Sequence, residues 1–599
     1  MDPITFEVIK GAVQAAGREM GVLIERTAMS PFIREKKDYF AGLADRHARI
    51  LFTMNDKTGP GMLEAIFERY PPEAMRPGDV FWINDCYLTG GAISHSSDMC
   101  FATPVFFEAQ IVAFSLCFGH FWDIGGARPG SLSPYNVDIF QEGINVPAVR
   151  IVDQGTLNDD LYRTVLRNSR FPEILEGDSR AMMAATRLGH SRMLDLFQRF
   201  GLEMVERAFE EQHAQSERAV RRYLAEGIRP GRYTFADFVD NDCVSDTPFR
   251  VQVDAEFRGD EVAVVDGTRS DDQARGPINY LLHPEIARMI FSRFLLWKDE
   301  SVMHNAGSCR PIKDVVLRPG SLLQPIRPAA LGLRGHSMYR FLNSVLGLFA
   351  QATDGDTPAG SPDYIIVMLR SLDVRTGEYF LCTDGIGVGQ GARPFADGLD
   401  VIYSSRGQKN YPMEFMDIEF PVRVERYEVH QNSGGPGRYR GGTGVVRDIR
   451  VLAAEVVLAT RMNGLKSPAW GVKGGGAGRA GRFIVNPGSP DERSVPGFAE
   501  DVHLRHGDLL RIISNGGGGH GDPLDREAMQ VREDVLDGFV SLEAARADYG
   551  VILDPKTLDL DEAATTGERE RRRSGRSGPL PLFSRGAGYE ELERARAAT

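Results

Sequence analysis

Two neighbouring apolar runs, each next to residues that bind metals, constrain this chain more than any other feature. Residues 99–107 and 111–118 are apolar, and Glu108, Ala109 and Gln110 separate them. This layout predicts a β-hairpin. Because antiparallel strands pair residues that are equidistant from the turn, a turn centred on Ala109 places Asp98 opposite His120 at the open end.

A second histidine lies close to that open end. His95 precedes Asp98 by one helical turn of sequence, so the incoming loop brings it alongside. Two imidazoles and a carboxylate are a common ligand set for zinc, manganese or iron(II), and three protein ligands leave positions for water or substrate. We therefore predict a divalent metal at His95, Asp98 and His120. The alternative is that these are hydrogen-bonded polar groups at a hairpin end.

Hydrophobic periodicity predicts an α+β (mixed α/β) fold, because both helical and strand-like spacings occur. Since 599 residues exceed what one compact core supports, we predict that the fold is multidomain. Residues 3–26 and 178–226 show helical spacing. Residues 39–152 and 315–520 show short strand patterns with glycine-rich turns. We predict an N-terminal metal-site domain at 1–228, a mixed, β-rich second domain at 229–553, and a charged, flexible tail at 554–599.

Composition and targeting signals exclude several classes of function. The net charge of −13 argues against nucleic acid as a partner. None of the six cysteines forms a CxxC pair, which argues against a structural zinc knuckle and suits reduced thiols. The N-terminus lacks the pattern of a signal peptide, and no apolar run approaches the roughly 20 residues that span a bilayer. We expect a cytoplasmic protein without membrane contact.

Three further signals leave alternatives open. There is no GxxxxGK[ST] phosphate loop, and the glycines at 385–389 are typical of a turn rather than a dinucleotide site. The glycine-rich segment 514–523 either approaches a ligand or connects domains. Arg334-Gly335-His336 either binds an anionic substrate or forms a surface or interdomain ion pair.

Several motifs, in order over about residues 3–553, resemble the hydantoinase B/oxoprolinase family. Asn84-Asp85, Gly90-Gly91, His95 and Asp98 are similar to its NDPYxGGTHxxD segment. Further similar segments are DIGG at 123–126, PG at 129–130, IFQEG at 139–143, NSR at 168–170, GDxRA at 177–181, SGGPGRYRGG at 433–442 and GGHGDP at 518–523. Three departures touch the expected site: Cys86 replaces the usual proline, His120-Phe121-Trp122-Asp123 replaces HHxD, and a histidine common in the family is absent from residues 53–62.

The resemblance implies an enzyme subunit that works with a hydantoinase A-like partner, which binds ATP-Mg. In one hypothesis the hetero-oligomer hydrolyses a small cyclic amide of the hydantoin, oxoproline or lactam type. In the second it is an ATP-dependent ketone carboxylase of the acetone or acetophenone type, and in the third this chain is a non-catalytic scaffold. Asp123 is then a catalytic base, a fourth metal ligand or a residue that orients the ligands.

Overall fold

The computed structural model describes residues 2–54, 61–299, 301–373, 375–376, 378–403 and 408–597. Its helices are α1 (Pro3–Thr27), α2 (Pro31–Arg34), α3 (Met62–Arg69), α4 (Asp159–Arg167), α5 (Pro172–Phe200), α6 (Leu202–Gly227), α7 (Pro284–Leu296), α8 (Ala306–Cys309), α9 (Arg334–Ala352), α10 (Met413–Glu419), α11 (Ala528–Leu536), α12 (Leu542–Tyr549), α13 (Glu562–Ser574) and α14 (Ala587–Ala597).

The strands are β1 (Tyr39–Asp45), β2 (Ile50–Thr53), β3 (Val80–Ile83), β4 (Asp98–Phe107), β5 (Gln110–His120), β6 (Val149–Asp153), β7 (Thr156–Leu157), β8 (Gly231–Val239), β9 (Phe249–Arg258), β10 (Glu261–Asp266), β11 (Ile312–Val316), β12 (Ile365–Asp373), β13 (Glu378–Ile386), β14 (Val422–Val429), β15 (Val445–Val451), β16 (Glu455–Arg461), β17 (Gly471–Val472), β18 (Arg482–Val485), β19 (Arg493–Val495), β20 (Phe498–Arg505), β21 (Leu509–Ile513) and β22 (Phe583–Ser584). The predicted mixed, multidomain class is confirmed.

Packing divides the chain into two compact units. The N-terminal unit comprises Met1–Arg232, Asp254–Arg334 and Arg406–Lys409, and the C-terminal unit comprises Tyr233–Val253, Gly335–Ser405 and Asn410–Thr599. Each unit therefore contains segments that are distant along the chain. The domain limits expected from the sequence, at 228 and 553, stay a prediction.

A seven-stranded antiparallel sheet, in the order β2-β1-β5-β4-β3-β6-β7, forms the centre of the N-terminal unit. Alternate side chains of its strands enter two different cores. Met99 and Phe101 pack with α1, α5 and α6, whereas Cys100 and Ala102 pack with α3 and with Leu281. Because both faces are covered, the hairpin strands are apolar almost throughout rather than alternating, as the sequence showed.

Helix α1 begins and ends where its sequence dictates. The Asp2 carboxylate accepts hydrogen bonds from the backbone N–H groups of Ile4 and Thr5, which caps the N-terminus, and Pro3 occupies the first helical position. At the other end Ala28 is already extended. The buried face repeats at three- and four-residue steps, as predicted, and consists of Phe6, Ile9, Val13, Ala16, Gly17, Met20, Gly21 and Ile24.

The larger antiparallel sheets of the C-terminal unit are β13-β12-β16-β20 and β14-β15-β21-β18-β19, and β17 pairs with β22 in a third, two-stranded sheet. Its glycine-rich loops pack backbone against backbone. A Cβ atom at Gly516 would lie 1.9 Å from the carbonyl oxygen of Ser433, and one at Gly518 would lie 1.9 Å from that of Trp470. Segment 514–523 therefore contacts the protein's own backbone, which favours its interpretation as a structural loop.

The arginine-rich segment, expected from its composition to be flexible, forms helix α13. Asp561 caps its N-terminus, and Glu568 pairs with Arg571 and Arg572 one turn later. Arg576 pairs with Asp522, which fastens the segment within the C-terminal unit. Across the described ranges, no helix is both long and apolar enough to cross a membrane. The cytoplasmic location stays a prediction.

Candidate metal centre

The hairpin that carries the candidate metal ligands has a two-residue turn and one bulge. Glu108 and Ala109 both adopt positive φ angles, 48° and 61°, as in a type I′ turn. Pairing starts at Phe107 and Gln110 and shifts by one residue between Val105 and Phe106, because β5 contributes an extra residue there. As a result Asp98 lies directly opposite His120, as the sequence predicted.

The loop before β4 delivers His95 to the same place. The Asn84 side chain donates to the carbonyl oxygens of Ser96, at 2.6 Å, and Ile144, at 2.9 Å. Gly91 has a φ of +90°, and a Cβ atom there would lie 1.9 Å from the carbonyl oxygen of Leu281. The asparagine and the glycine therefore fix the path of the loop on both sides of the histidine.

The three predicted ligands converge. His95 Nε2 lies 2.9 Å from His120 Nδ1, which lies 3.7 Å from Asp98 Oδ1. His95 Nδ1 lies 3.0 Å from Asp98 Oδ2. One ligand atom of each residue lies within 4.8 Å of the others, and all three side chains are buried.

These distances suit a shared cation. Ligand atoms about 2.0–2.2 Å from one metal, at tetrahedral or octahedral angles, are roughly 3–3.6 Å apart. The spacing of the His95, His120 and Asp98 atoms brackets that range, so the donor set fits a divalent metal with small side-chain adjustments. Two imidazoles with one carboxylate suit zinc, manganese or iron(II) alike.

Electrostatics keeps His120 neutral. Burial is the main cause that lowers the pKa of His120, to about 3, and His95 and Arg334 act in the same direction. Asp38 and Asp98 oppose this shift without cancelling it. A neutral imidazole has a lone pair to offer, which is the form that binds metals.

Sequence reasoning missed Asp38. Its carboxylate Oδ2 lies 3.9 Å from His120 Nδ1, and its carbonyl oxygen accepts a hydrogen bond from the His120 N–H group. Asp38 comes directly before β1, which pairs with the outer edge of β5 so that Tyr39 faces Gly119. The residue type suits a ligand, but only the order of strands in the sheet reveals that it is near.

Asp123 lies outside this cluster. Its buried carboxylate accepts hydrogen bonds from the backbone N–H groups of Gly125, Gly130 and Arg170, and Arg170 Nη1 donates to it at 2.9 Å. Both carboxylate oxygens are thus occupied by the protein itself. This arrangement holds the loop after His120 in place, and it matches an orienting residue better than a free base.

Arg334 and His336 have separate surroundings. His336 Nδ1 lies 3.2 Å from Asp363 Oδ2 inside the C-terminal unit. Arg334 Nε donates to Ser94 Oγ at 3.0 Å inside the N-terminal unit. His336 thus faces a carboxylate, but this pair is buried within one unit rather than at the surface or between domains, whereas the arginine contacts the loop that carries His95.

Sequence comparisons place the chain among named relatives. A family model for hydantoinase B/oxoprolinase matches residues 2–523. A Pseudomonas sp. (strain NS671) protein, assigned as the B component of a D-/L-hydantoinase, is 30% identical over 584 residues, which cover 94% of this chain and 97% of that protein. The beta chain of caprolactamase from Pseudomonas jessenii is 27% identical over 591 residues, covering 95% and 99%.

Two solved structures share the fold. The crystal structure of ATP-dependent caprolactamase from Pseudomonas jessenii superposes with a TM-score of 0.82 at 26% identity, covering 95% of this chain and all of that one. A nucleotide-free acetone carboxylase superposes with a TM-score of 0.83 at 20% identity, covering 99% of this chain and 86% of that one. The second likeness concerns the fold alone.

Proposed function

The chain belongs to the hydantoinase B/oxoprolinase family, and from this premise we propose that it is the metal-binding subunit of an ATP-dependent hydrolase of cyclic amides. The convergence of His95, Asp98 and His120 on one buried point carries the proposal. The substrate class is the hydantoin, oxoproline or lactam type, because the similar proteins described above include a hydantoinase and a caprolactamase.

The residues of the cluster would hold a divalent cation, zinc, manganese or iron. Such an ion, when bound, polarises a carbonyl oxygen and makes water a better nucleophile. The His120 imidazole is neutral at pH 7, because burial lowers its pKa to about 3. Asp98 would offer one carboxylate oxygen to the cation, and its other oxygen faces His95 Nδ1. Asp123, with Arg170, keeps the loop that follows His120 rigid.

We assign the ATP-Mg site to a partner subunit of the hydantoinase A type. The chain contains no phosphate loop, and the hydantoinase and caprolactamase relatives are each named as one component of a larger enzyme. The partner would phosphorylate the amide carbonyl oxygen, and this chain would direct water to the activated carbon. The isolated chain is accordingly expected to show no ATPase activity, and robust activity of the pure chain would contradict this division of labour.

One surface suits a partner. Three loops of the N-terminal unit expose the apolar side chains Leu88 (51%), Tyr135 (51%), Val137 (45%), Phe140 (63%) and Ile326 (58%), which we call the apolar loop surface. The loops are hydrogen-bonded to one another through residues 328–329. Exposed apolar side chains concentrated in this way are typical of protein interfaces.

A charge on the apolar loop surface tests the assembly. Phe140→Asp is expected to weaken association with the co-expressed hydantoinase A-like subunit, measured by co-purification and size-exclusion chromatography. Ile418→Asp is the matched control, since Ile418 is also exposed (77%) but belongs to the C-terminal unit. Undiminished complex formation by the Phe140 variant would place the interface elsewhere.

Metal analysis tests the central proposal. The purified wild-type protein should contain a divalent metal that His95→Ala and His120→Ala lose. His503→Ala, at an exposed histidine of the C-terminal unit, should keep it. Circular dichroism verifies that each variant folds. Equal metal content in wild type and His120→Ala would remove the assignment.

The second candidate function is a ketone carboxylase, the alternative that the sequence motifs leave open; acetone carboxylase shares only the fold with this chain. Assays of the complex with ATP and either a cyclic amide, or a ketone with bicarbonate, separate the two reactions. A complex that assembles but contains no metal would instead support the scaffold hypothesis.

A further inference from the structure

We propose that Arg334 binds an oxyanion of the substrate next to the His95–Asp98–His120 cluster, and that Glu142 positions Arg334 for this role. The proposal rests on the function proposed above and names a chemical group that the same site recognises.

Among the residues that the structure describes, none forms an ion pair with Arg334. Its side-chain hydrogen bond runs from Nε to Ser94 Oγ. Among the described residues, no carboxylate lies within 4.0 Å of its guanidinium group, and neither terminal nitrogen has a hydrogen-bond partner. By contrast, Arg170 of the same unit pairs with Asp123. The guanidinium group is half-buried, and its terminal nitrogens are not among the buried atoms without a partner, so they are accessible to a ligand.

The position of Arg334 is next to the candidate metal centre. Ser94, which accepts its hydrogen bond, directly precedes His95. A cation held by the cluster and the guanidinium group would together present positive charge to one ligand.

Glu142 holds the backbone that leads to Arg334. Its Oε1 accepts hydrogen bonds from the N–H groups of Leu331, at 2.7 Å, and Gly332, at 2.6 Å. The Arg334 N–H group in turn donates to the Leu331 carbonyl oxygen. Glu142 is completely buried, so the side chain is a fixed anchor. Without it, segment 331–334 would lose the contact that sets the place of Arg334.

The chemistry of the free donors identifies the ligand. The terminal nitrogens of a guanidinium group match two oxygens of a planar carboxylate or of a phosphoryl group. In a cyclic-amide hydrolase such an oxyanion has two sources: a carboxylate that the substrate carries, or the phosphoryl group added during activation. Both share the oxyanion that Arg334 would bind.

Binding of inorganic phosphate to the purified chain tests the proposal without turnover. Calorimetric titration of wild type is expected to show binding that Arg334→Ala weakens by about tenfold or more, with Arg334→Lys in between. Arg163→Ala, which removes an exposed arginine on α4, is the charge-matched control and should bind like wild type. Equal affinity in Arg334→Ala and wild type, or no binding by wild type, would overturn the proposal.

Two further measurements separate this proposal from its premise and test the positioning role. The metal content of Arg334→Ala should equal that of wild type. If wild type contains no metal but still binds phosphate more tightly than Arg334→Ala, the proposed metal site is wrong while the role of Arg334 stands. Glu142→Ala should weaken phosphate binding, whereas Glu142→Gln, which keeps the Oε1 acceptor, should bind phosphate like wild type. Equal phosphate affinities of the two variants would contradict the positioning role of Glu142.

In the active complex, the KM values of two cyclic amides reveal the source of the oxyanion. If Arg334→Ala raises KM only for a substrate with a carboxylate, the substrate supplies the group. If kcat falls for substrates with and without a carboxylate, the phosphoryl group is recognised. Unchanged KM and kcat for both substrates would contradict the proposal.

Discussion

Replacing Glu142 with glutamine is expected to stabilise the N-terminal unit at pH 8 and above while leaving its stability at pH 5 nearly unchanged. The Glu142 carboxyl is completely buried, and among the described residues its Oε2 has no hydrogen-bond partner. Burial is the main cause that raises the pKa of Glu142 to about 8; the N–H groups of Gly332 and Leu331 and the charge of Arg334 oppose the shift.

The sign and size of the effect follow from this pKa. Between pH 4.5, the ordinary pKa of a glutamate, and about 8, the folded protein binds a proton that the unfolded chain has lost. The free energy of unfolding therefore falls as pH rises through this window, by about 1.4 kcal/mol per pH unit. The whole window corresponds to at most about 5 kcal/mol. Glutamine keeps the acceptor oxygen, resembles the protonated acid and removes the titration.

Urea unfolding followed by tryptophan fluorescence at pH 5 to 8.5 measures this effect. Trp82, Trp122 and Trp297 lie in the N-terminal unit, so three of the four tryptophans report on it. The stability difference between Glu142→Gln and wild type should grow steadily with pH. Glu203→Gln, at an exposed position on α6, is the control and should run parallel to wild type. Parallel curves for the Glu142 variant would refute the reasoning.

Two further changes probe strain and buried charge. Gly91→Ala should destabilise the protein more than Gly155→Ala. Both glycines have a φ near +90°, which costs an alanine roughly 1–3 kcal/mol, but only at Gly91 would the new Cβ collide with the Leu281 carbonyl oxygen. Thermal unfolding should show the difference. Arg447→Met should cost about 3–5 kcal/mol, because it removes the arginine from a buried ion pair with Asp384. Adding Asp384→Asn should recover much of this loss of stability in urea titrations. If the double variant instead loses as much stability as the two single variants together, the ion pair does not contribute.

The hairpin could be predicted from sequence because its evidence is local. Apolar runs, a short polar break and the residues at the open end all lie within one stretch of chain. The predicted turn centre at Ala109 was half a residue from the observed turn at Glu108 and Ala109, and the bulge compensated for the difference. The pairing of Asp98 with His120 was therefore correct although no sequence signal indicated the bulge.

Other parts of the site depend on contacts that a single sequence does not encode visibly. Asp38 reaches His120 only because β1 lies beside β5. Arg334 meets Ser94 across 240 residues of chain, and Glu142 meets Leu331 across 189. Such pairings depend on the order of strands and on how distant loops pack, which local propensities leave open.

The tail illustrates a different limit of sequence reasoning. The flexibility that its composition indicated stays a prediction, but helix α13 was not predicted, because composition does not register where charges stand relative to one another. Glu568 is placed three and four residues before Arg571 and Arg572, the spacing that stabilises a helix. Tertiary ion pairs such as that of Arg576 with Asp522 then hold the segment.

The extra residue in β5 means that the candidate metal site tolerates one deletion between the turn and His120 but not further ones. Removing the bulged residue would restore regular pairing and leave the imidazole opposite Asp98, whereas removing one more residue would exchange the faces of the strand and turn the imidazole away. Removing two residues besides the bulged one would keep the face but displace the imidazole by about 7 Å along the strand. A larger change in length that the sheet itself tolerates would thus abolish the site, whereas the exposed turn is free to vary.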